Sequence, residues 1–186
     1  AAEWKAQKEV IQFNRMPINK LVNSALDHFK TKKKSAIAVL LEYGETDLLC
    51  YRAEEPVELK SYQKEKWNPI ISWAKDVLLL EFKIIYGVTY IQQNKREMKR
   101  LENILSELNH FEMAGFQELV SISGSILIGL ALKKKYFGVK EGWELSILDE
   151  TWQMDKWGKD QESVDRLNQR WHDFKSAYEF LKFLED

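Results

Sequence analysis

The stretch Phe111–Lys133, FEMAGFQELVSISGSILIGLALK, is the most apolar run in an otherwise charged chain. It is too long and too rich in Leu and Ile for an ordinary strand. Asn109, followed three residues later by Glu112, matches the capping box that opens a helix. Lys133, Lys134 and Lys135 are cations suited to a helix C-terminus. Between them the spacing predicts one helix that is apolar almost all round, through Phe116, Leu119, Ile122, Ile126, Leu127 and Leu130. Such a helix is buried. Ser121, Ser125 and Gly129 recur every four residues, so they share a face where a neighbouring backbone can approach closely. A membrane span needs about 20 predominantly apolar residues. The uncharged run between Glu118 and Lys133 is shorter and holds three serines, so a buried central helix is expected and no integral membrane segment.

Working outward, most flanking segments carry helical signals. Glu3 to Phe13 reads as a short helix with Trp4, Val10 and Ile11 on it. Pro17 opens a helix whose Ile18, Leu21, Val22, Ala25, Leu26 and Phe29 follow the i, i+3, i+4, i+7 pattern; Lys30 to Lys34 close it, and Ser35 caps the next. Pro56 starts another, which Asn68-Pro69 restarts as a cap followed by proline. Asn94 and Glu97 look like a second capping box ahead of Met98, Leu101, Leu105 and Leu108. After the central helix, Val139, Trp143, Ile147 and Trp152 face one way on a helix that Gly158 stops. Asp160 caps the last helix, with a seam through Val164, Leu167, Trp171, Phe174, Tyr178 and Leu181. Residues 80–92 differ: β-branched and aromatic side chains alternate with charge up to Gly87, which reads as an extended insert or hairpin. The fold class is therefore all-α, a compact multi-helix bundle around a buried central helix, with residues 1–186 as a single helical domain.

Bulk chemistry narrows function by exclusion. In 186 residues, 28 basic and 29 acidic side chains leave a net charge of −1, so no overall field draws nucleic acid. One cysteine, Cys50, excludes an intrachain disulfide framework and reads as a small buried hydrophobe. No Gly-rich phosphate loop is present, and Ser123-Gly124-Ser125 lacks the spacing of a nucleophile elbow. His28, His110 and His172 are scattered without metal-ligand spacing. No catalytic residue, metal site or cofactor is expected. Two stretches stand apart from scaffold. Tyr43 to Pro56 crowds acids, an arginine and two tyrosines into a turn, and Trp143 to Gly158 alternates tryptophans with Glu144, Asp149, Glu150 and Asp155. The second is either an amphipathic helix with a solvated acidic face or a protein-binding face with aromatic anchors. Residue chemistry alone leaves both readings open.

The same two stretches carry a family resemblance. Thr46-Asp47-Leu48-Leu49-Cys50-Tyr51-Arg52-Ala53 and Leu148-Asp149-Glu150 with Gln153 and Trp157-Gly158 stand in order with Glu3-Trp4, Gln7, Met16-Pro17, Pro56, Gln63, Trp67, Pro69 and Trp73. Leu119-Val120, Ser123-Gly124-Ser125 and Leu145-Ser146 complete the set. The chain resembles the α-proteobacterial and mitochondrial assembly chaperones that protect the α subunit of the catalytic head of the F-type ATP synthase.

The resemblance implies an ATP-independent, non-enzymatic holdase, a monomer, that keeps the unassembled α subunit from aggregating until the β subunit replaces it. It implies the bacterial cytoplasm, or the mitochondrial matrix in a eukaryote. Members carry a β-rich N-terminal domain, so the chain, which starts without methionine, is expected to be the helical part alone. Glu150, Asp149, Trp152, Gln153 and Trp157 are the expected partner-binding residues. Trp4, Asp47, Tyr51, Arg52 and Trp67 are expected to hold the fold, with Arg52 paired to a carboxylate such as Asp47. Glu150 is expected at the edge of an apolar strip with Ile147 and Met154. The alternative is a small cytosolic enzyme with Asp47, Arg52 and Glu150 in one acidic cleft.

Overall fold

A computed structural model describes residues 2–7, 9, 12 and 16–185. It is a helical bundle, as the patterning requires. In chain order the elements are α1 (Ala2–Lys5), α2 (Pro17–Ser24), a π-helical turn (Ala25–Phe29), α3 (Lys30–Glu45), β1 (Tyr51–Arg52), α4 (Val57–Leu78), β2 (Ile85–Tyr86), α5 (Lys95–Ser106), α6 (His110–Ser123), α7 (Ile126–Lys133), α8 (Val139–Ser146), α9 (Leu148–Trp157) and α10 (Gln161–Phe183). Val10, Ile11 and Phe13 of the expected first helix lie outside the described residues.

The central segment is buried but is two helices, not one. Its capping box is present: the Asn109 side chain accepts from Phe111 N and Glu112 N, and the Glu112 carboxylate accepts from Asn109 N. The helix ends at Gly124, whose φ of 71° is the left-handed C-cap that glycine adopts without a Cβ clash. Ser125 then caps α7, its Oγ accepting from Ile128 N at 3.1 Å. The break turns α7 back against α6, so Ser121 is exposed while Ser125 and Gly129 are buried. Gly129 does mark a close approach, but to α6 itself. A Cβ there would stand 2.9 Å from Val120 Cγ2 and 3.1 Å from Phe116 Cε2. Around this pair, α10 lies along α6, with Phe174, Ala177, Phe180 and Leu181 buried, and α2, α3, α4 and α8 complete the shell.

Other boundaries shift for local reasons. Backbone from Pro17 runs through the π-helical turn into α3, and the break after the Lys cluster survives only as a kink at Lys32 (φ −116°, ψ 28°). α4 continues through Pro69, because the Asn68 side chain expected to cap a new helix is engaged by Arg52 instead. Asn94 caps α5 alone; Glu97 is buried and accepts from Glu81 N, so no second capping box forms. The helix expected over Val139–Trp157 breaks at Ile147 (φ −108°, ψ 16°) into α8 and α9, and Gly158 (φ 100°) stops α9 as expected.

The insert at 80–92 is extended but not a hairpin. β2 pairs in parallel with β1, placing Tyr51 opposite Ile85 and Arg52 opposite Tyr86. Ile85 N donates to Cys50 O at 2.7 Å and Gly87 N to Arg52 O at 2.9 Å.

Candidate functional site

The first family block, Thr46–Ala53, is a knot inserted where α6 and α7 part, with Asp47, Leu49, Cys50 and Arg52 buried. Leu48 N donates to Gly124 O at 3.1 Å, so the chain docks on the carbonyl that the break exposes. Asp47 is wholly buried beside the α7 N-terminus and accepts from Leu49 N (2.9 Å), Leu127 N (3.0 Å) and Ser125 Oγ (2.9 Å). Those donors and the positive helix end favour the carboxylate. Burial outweighs them and pushes Asp47 up to about 6. Burial, and then the neighbouring Asp47 charge, also push the Cys50 thiol well up, the opposite of an activated nucleophile.

Arg52 does not pair with Asp47, contrary to expectation. Its Nε donates to Leu49 O (3.0 Å), its Nη1 to Asn68 Oδ1 (2.6 Å), and the guanidinium lies 5.8 Å from the Trp67 ring centre. The physical reason is that the α7 N-terminus and Ser125 already satisfy Asp47, leaving Arg52 to bridge β1 and α4. Trp67 Nε1 donates to Leu145 O at 3.1 Å and so ties α4 to α8. Tyr51 is half-buried, and its hydroxyl accepts from Ile91 N at 3.4 Å. Trp4 is 53% exposed; its neighbour Glu3 does the structural work, its carboxylate accepting from Ile18 N and Asn19 N at the start of α2.

The second block forms the accessible face. Past Leu148, which is buried, α9 diverges from α10 so that a groove opens on each side of Met154. One groove, about 470 Å³, is mainly apolar and is walled by Trp143, Ile147, Met154, Leu167 and Trp171. The other, about 560 Å³, mixes polar and apolar surface in about equal parts and includes Glu150, Gln153, Trp157, Arg166 and Arg170. Glu150 lines this second groove with Met154, and it is not solitary. Arg170 Nη1 donates to both its oxygens at 2.8 and 2.9 Å, while Arg170 Nη2 donates to Ile122 O and the guanidinium stacks 5.6 Å over Trp143.

The other expected binding residues divide. Trp157, at the tip, is 77% exposed. It packs edge-on to Trp152 at 6.2 Å, and Lys156 covers the Trp152 ring at 5.5 Å. Gln153 is exposed beside them. Asp149 points inward instead and accepts from Gln63 Nε2 at 2.8 Å, while Gln63 Oε1 accepts from Ala53 N. Burial, opposed by the Gln63 hydrogen bond and reinforced by nearby Glu150, raises the Asp149 carboxyl above its ordinary value. Asp149 and Gln63 therefore join the two family blocks through a single amide. Arg170 is absent from the sequence reading, since a pair twenty residues apart leaves no local signal; Met154 and Leu167 are read there as an apolar strip and a helix seam rather than as groove walls.

The alternative acidic cleft is not formed. Asp47 is sealed at the α6–α7 break, Arg52 is buried against Trp67, and Glu150 is clamped by Arg170 in a different groove. No group of three or more potential metal ligands occurs among the described residues, and no helix formed by them is long and apolar enough to cross a membrane.

These features define a helical scaffold with a buried polar knot and a grooved aromatic face. The comparisons with known proteins give that class its family. The sequence profile of the ATP12 chaperone protein matches residues 1–75. The crystal structure of Atp12 from Paracoccus denitrificans superposes with a TM-score of 0.92 and 32% identity, over 98% of this chain and 78% of that one. The Atu1473 protein of Agrobacterium tumefaciens superposes with a TM-score of 0.94 and 32% identity, over 98% and 69% of the two chains. Protein atp12, mitochondrial, of Schizosaccharomyces pombe is 28% identical over 168 residues, 85% of this chain. The chain belongs to the ATP12 chaperone family. It spans 58% of the length of the yeast relative.

Proposed function

We propose that this chain is an ATP-independent assembly chaperone for the catalytic head of the F-type ATP synthase, and that it binds the unassembled α subunit until the β subunit displaces it. The observation that carries the proposal is the pair of grooves flanking Met154, with Trp157 exposed at their tip, in a chain of the ATP12 chaperone family. Unassembled subunits expose apolar surface that aggregates. A holdase must cover that surface and later release it. An apolar groove beside a charged one suits such exchange: the aromatic walls supply contact area, and Glu150 with Arg170 sets orientation and rejects wrong partners.

Binding needs no reaction and no cofactor. The working state is a monomer in the bacterial cytoplasm, or in the mitochondrial matrix of a eukaryote, and residues 1–186 act as one helical unit. Immobilised chain incubated with separate α and β subunits, in the absence of nucleotide, should retain α and not β. Retention of β alone, or of neither, would overturn the proposal.

A further inference from the structure

The stretch from Glu81 to Gly87 is hydrogen-bonded along one side only. Glu81 N donates to Glu97 Oε2, Lys83 N to Gln93 Oε1, Ile85 N to Cys50 O and Gly87 N to Arg52 O. Gln93 also returns a bond from its amide to Lys83 O, so a buried side chain stands in for a strand residue. Every second N–H thus points into the protein. The intervening N–H groups of Ile84 and Tyr86 point the other way, as strand geometry demands, and have no partner among the described residues. The side chains along this open edge are Ile84 and Tyr86, with Val88, Tyr90 and Ile91 just beyond, all exposed and Val88 99% so. Proteins ordinarily blunt such an edge with proline, short strands or inward charges. Here the strand is short and Lys83 flanks it, but no proline interrupts Ile84–Tyr86.

We infer that this open edge takes an extended segment of a bound polypeptide as an added strand. Outward main-chain donors and acceptors at strand spacing are matched only by another extended backbone. Charge narrows the occupant. The Lys60 ammonium lies 4.7 Å from the Tyr86 ring centre and Lys83 flanks Ile84, while the Glu54 carboxylate stands against Gly87, so an incoming strand with acidic residues beside Ile84 and Tyr86, and none at Gly87, is favoured. A second copy of this chain fits less well. An antiparallel pair centred on Tyr86 brings two Lys60 groups together, and one centred on Ile84 sets two Lys83 residues diagonally opposed, and like-charge neighbours destabilise a strand pair. The edge is separate from the grooves at Met154; it rests on the chaperone reading only for the source of its natural occupant.

The test uses a short fluorescent peptide of alternating Val and Glu, followed by anisotropy and by amide shifts of Ile84 and Tyr86. Saturable binding is expected, weakened about tenfold or more in Tyr86→Pro, which deletes an outward donor while leaving the Ile85 and Gly87 bonds. Ile84→Pro provides the same test if Tyr86→Pro does not fold. Lys60→Glu should shift preference to a Val/Lys peptide without touching the backbone. Equal binding by both folded proline variants, or shifts confined to Met154 and Trp157, would overturn the inference, as would a dimer that Tyr86→Pro abolishes. Failure of α-subunit capture would leave this result unaffected.

Discussion

Asp47→Asn separates the two opposing effects on the buried knot. In the folded chain the Asp47 carboxyl is raised from 3.8 to about 6 by burial. Between those values the native state holds a proton that the unfolded chain has released, so stability falls as pH rises through this window. At about 1.4 kcal/mol per unit, two units correspond to about 3 kcal/mol lost by pH 7. Asparagine removes that pH dependence, but its amide NH2 only donates, where the hydroxyl oxygen of the protonated acid can still accept from Leu49 N or Leu127 N. One buried donor is left unpaired, a loss of about 1–3 kcal/mol. Near pH 4, where wild-type Asp47 is neutral, the variant should be the less stable by that amount. At pH 7 the gap should close or reverse, because only the wild type has lost the 3 kcal/mol. Urea unfolding followed by tryptophan fluorescence between pH 4 and 8 measures both curves. A gap that is constant with pH, or that widens above pH 6, would refute the reasoning.

Four further outcomes are expected. Gly124→Ala should cost about 1–2 kcal/mol in urea unfolding, from left-handed strain rather than collision, since its Cβ meets only Leu48 Cβ at 3.9 Å. Gly129→Leu should lower the melting temperature through overpacking against Val120 and Phe116, at a cost of about 1–3 kcal/mol; an unchanged melt would contradict the close α6–α7 approach. Arg52→Ala should lose about 3 kcal/mol from its bonds to Leu49 O and Asn68, and any loss of client capture should follow the loss of folded protein. Glu150→Lys should change stability by about 1 kcal/mol or less, because the partly exposed Arg170 pair contributes little. It should still impair suppression of α-subunit aggregation, and undiminished suppression by the folded variant would remove Glu150 from the client site.

The helical class was legible because its signals are local. Asn109 with Glu112, Asp160 and Gly158 all play the capping roles their types suggest. The break at Gly124 was written in the sequence too, as a glycine followed by a capping serine. It was hidden because Leu and Ile continue on both sides, and apolar continuity reads as helical continuity. Arg52 was misassigned for a different reason. Opposite charges five residues apart invite pairing, but Ser125 and Leu127, about eighty residues away, claim Asp47 first. The strand partner of Ile85 is likewise distant, so the hairpin signal at Gly87 was stronger than the true pairing with Tyr51–Arg52. At the grooves, the aromatic content of Trp143–Trp157 was visible, whereas the far wall, Leu167, Arg170 and Trp171, belongs to another helix. Inward-turned Asp149 shows how adjacent acids in one motif divide: a helix rotates neighbours by about 100°, enough to give Asp149 to Gln63 and Glu150 to the groove.

The central proposal, that the grooves beside α9 hold the unassembled α subunit, is tested most directly by replacing Trp157 with the photo-crosslinking residue benzoylphenylalanine. Trp157 is the exposed tip of the site, so an aromatic replacement there leaves the buried core untouched. Irradiation with separate subunits, without nucleotide, should give an adduct with α and none with β, and adding β beforehand should abolish it. An α adduct formed equally well from a crosslinker at exposed Phe183, or no α adduct from position 157 while α is still captured, would contradict the assignment of this surface.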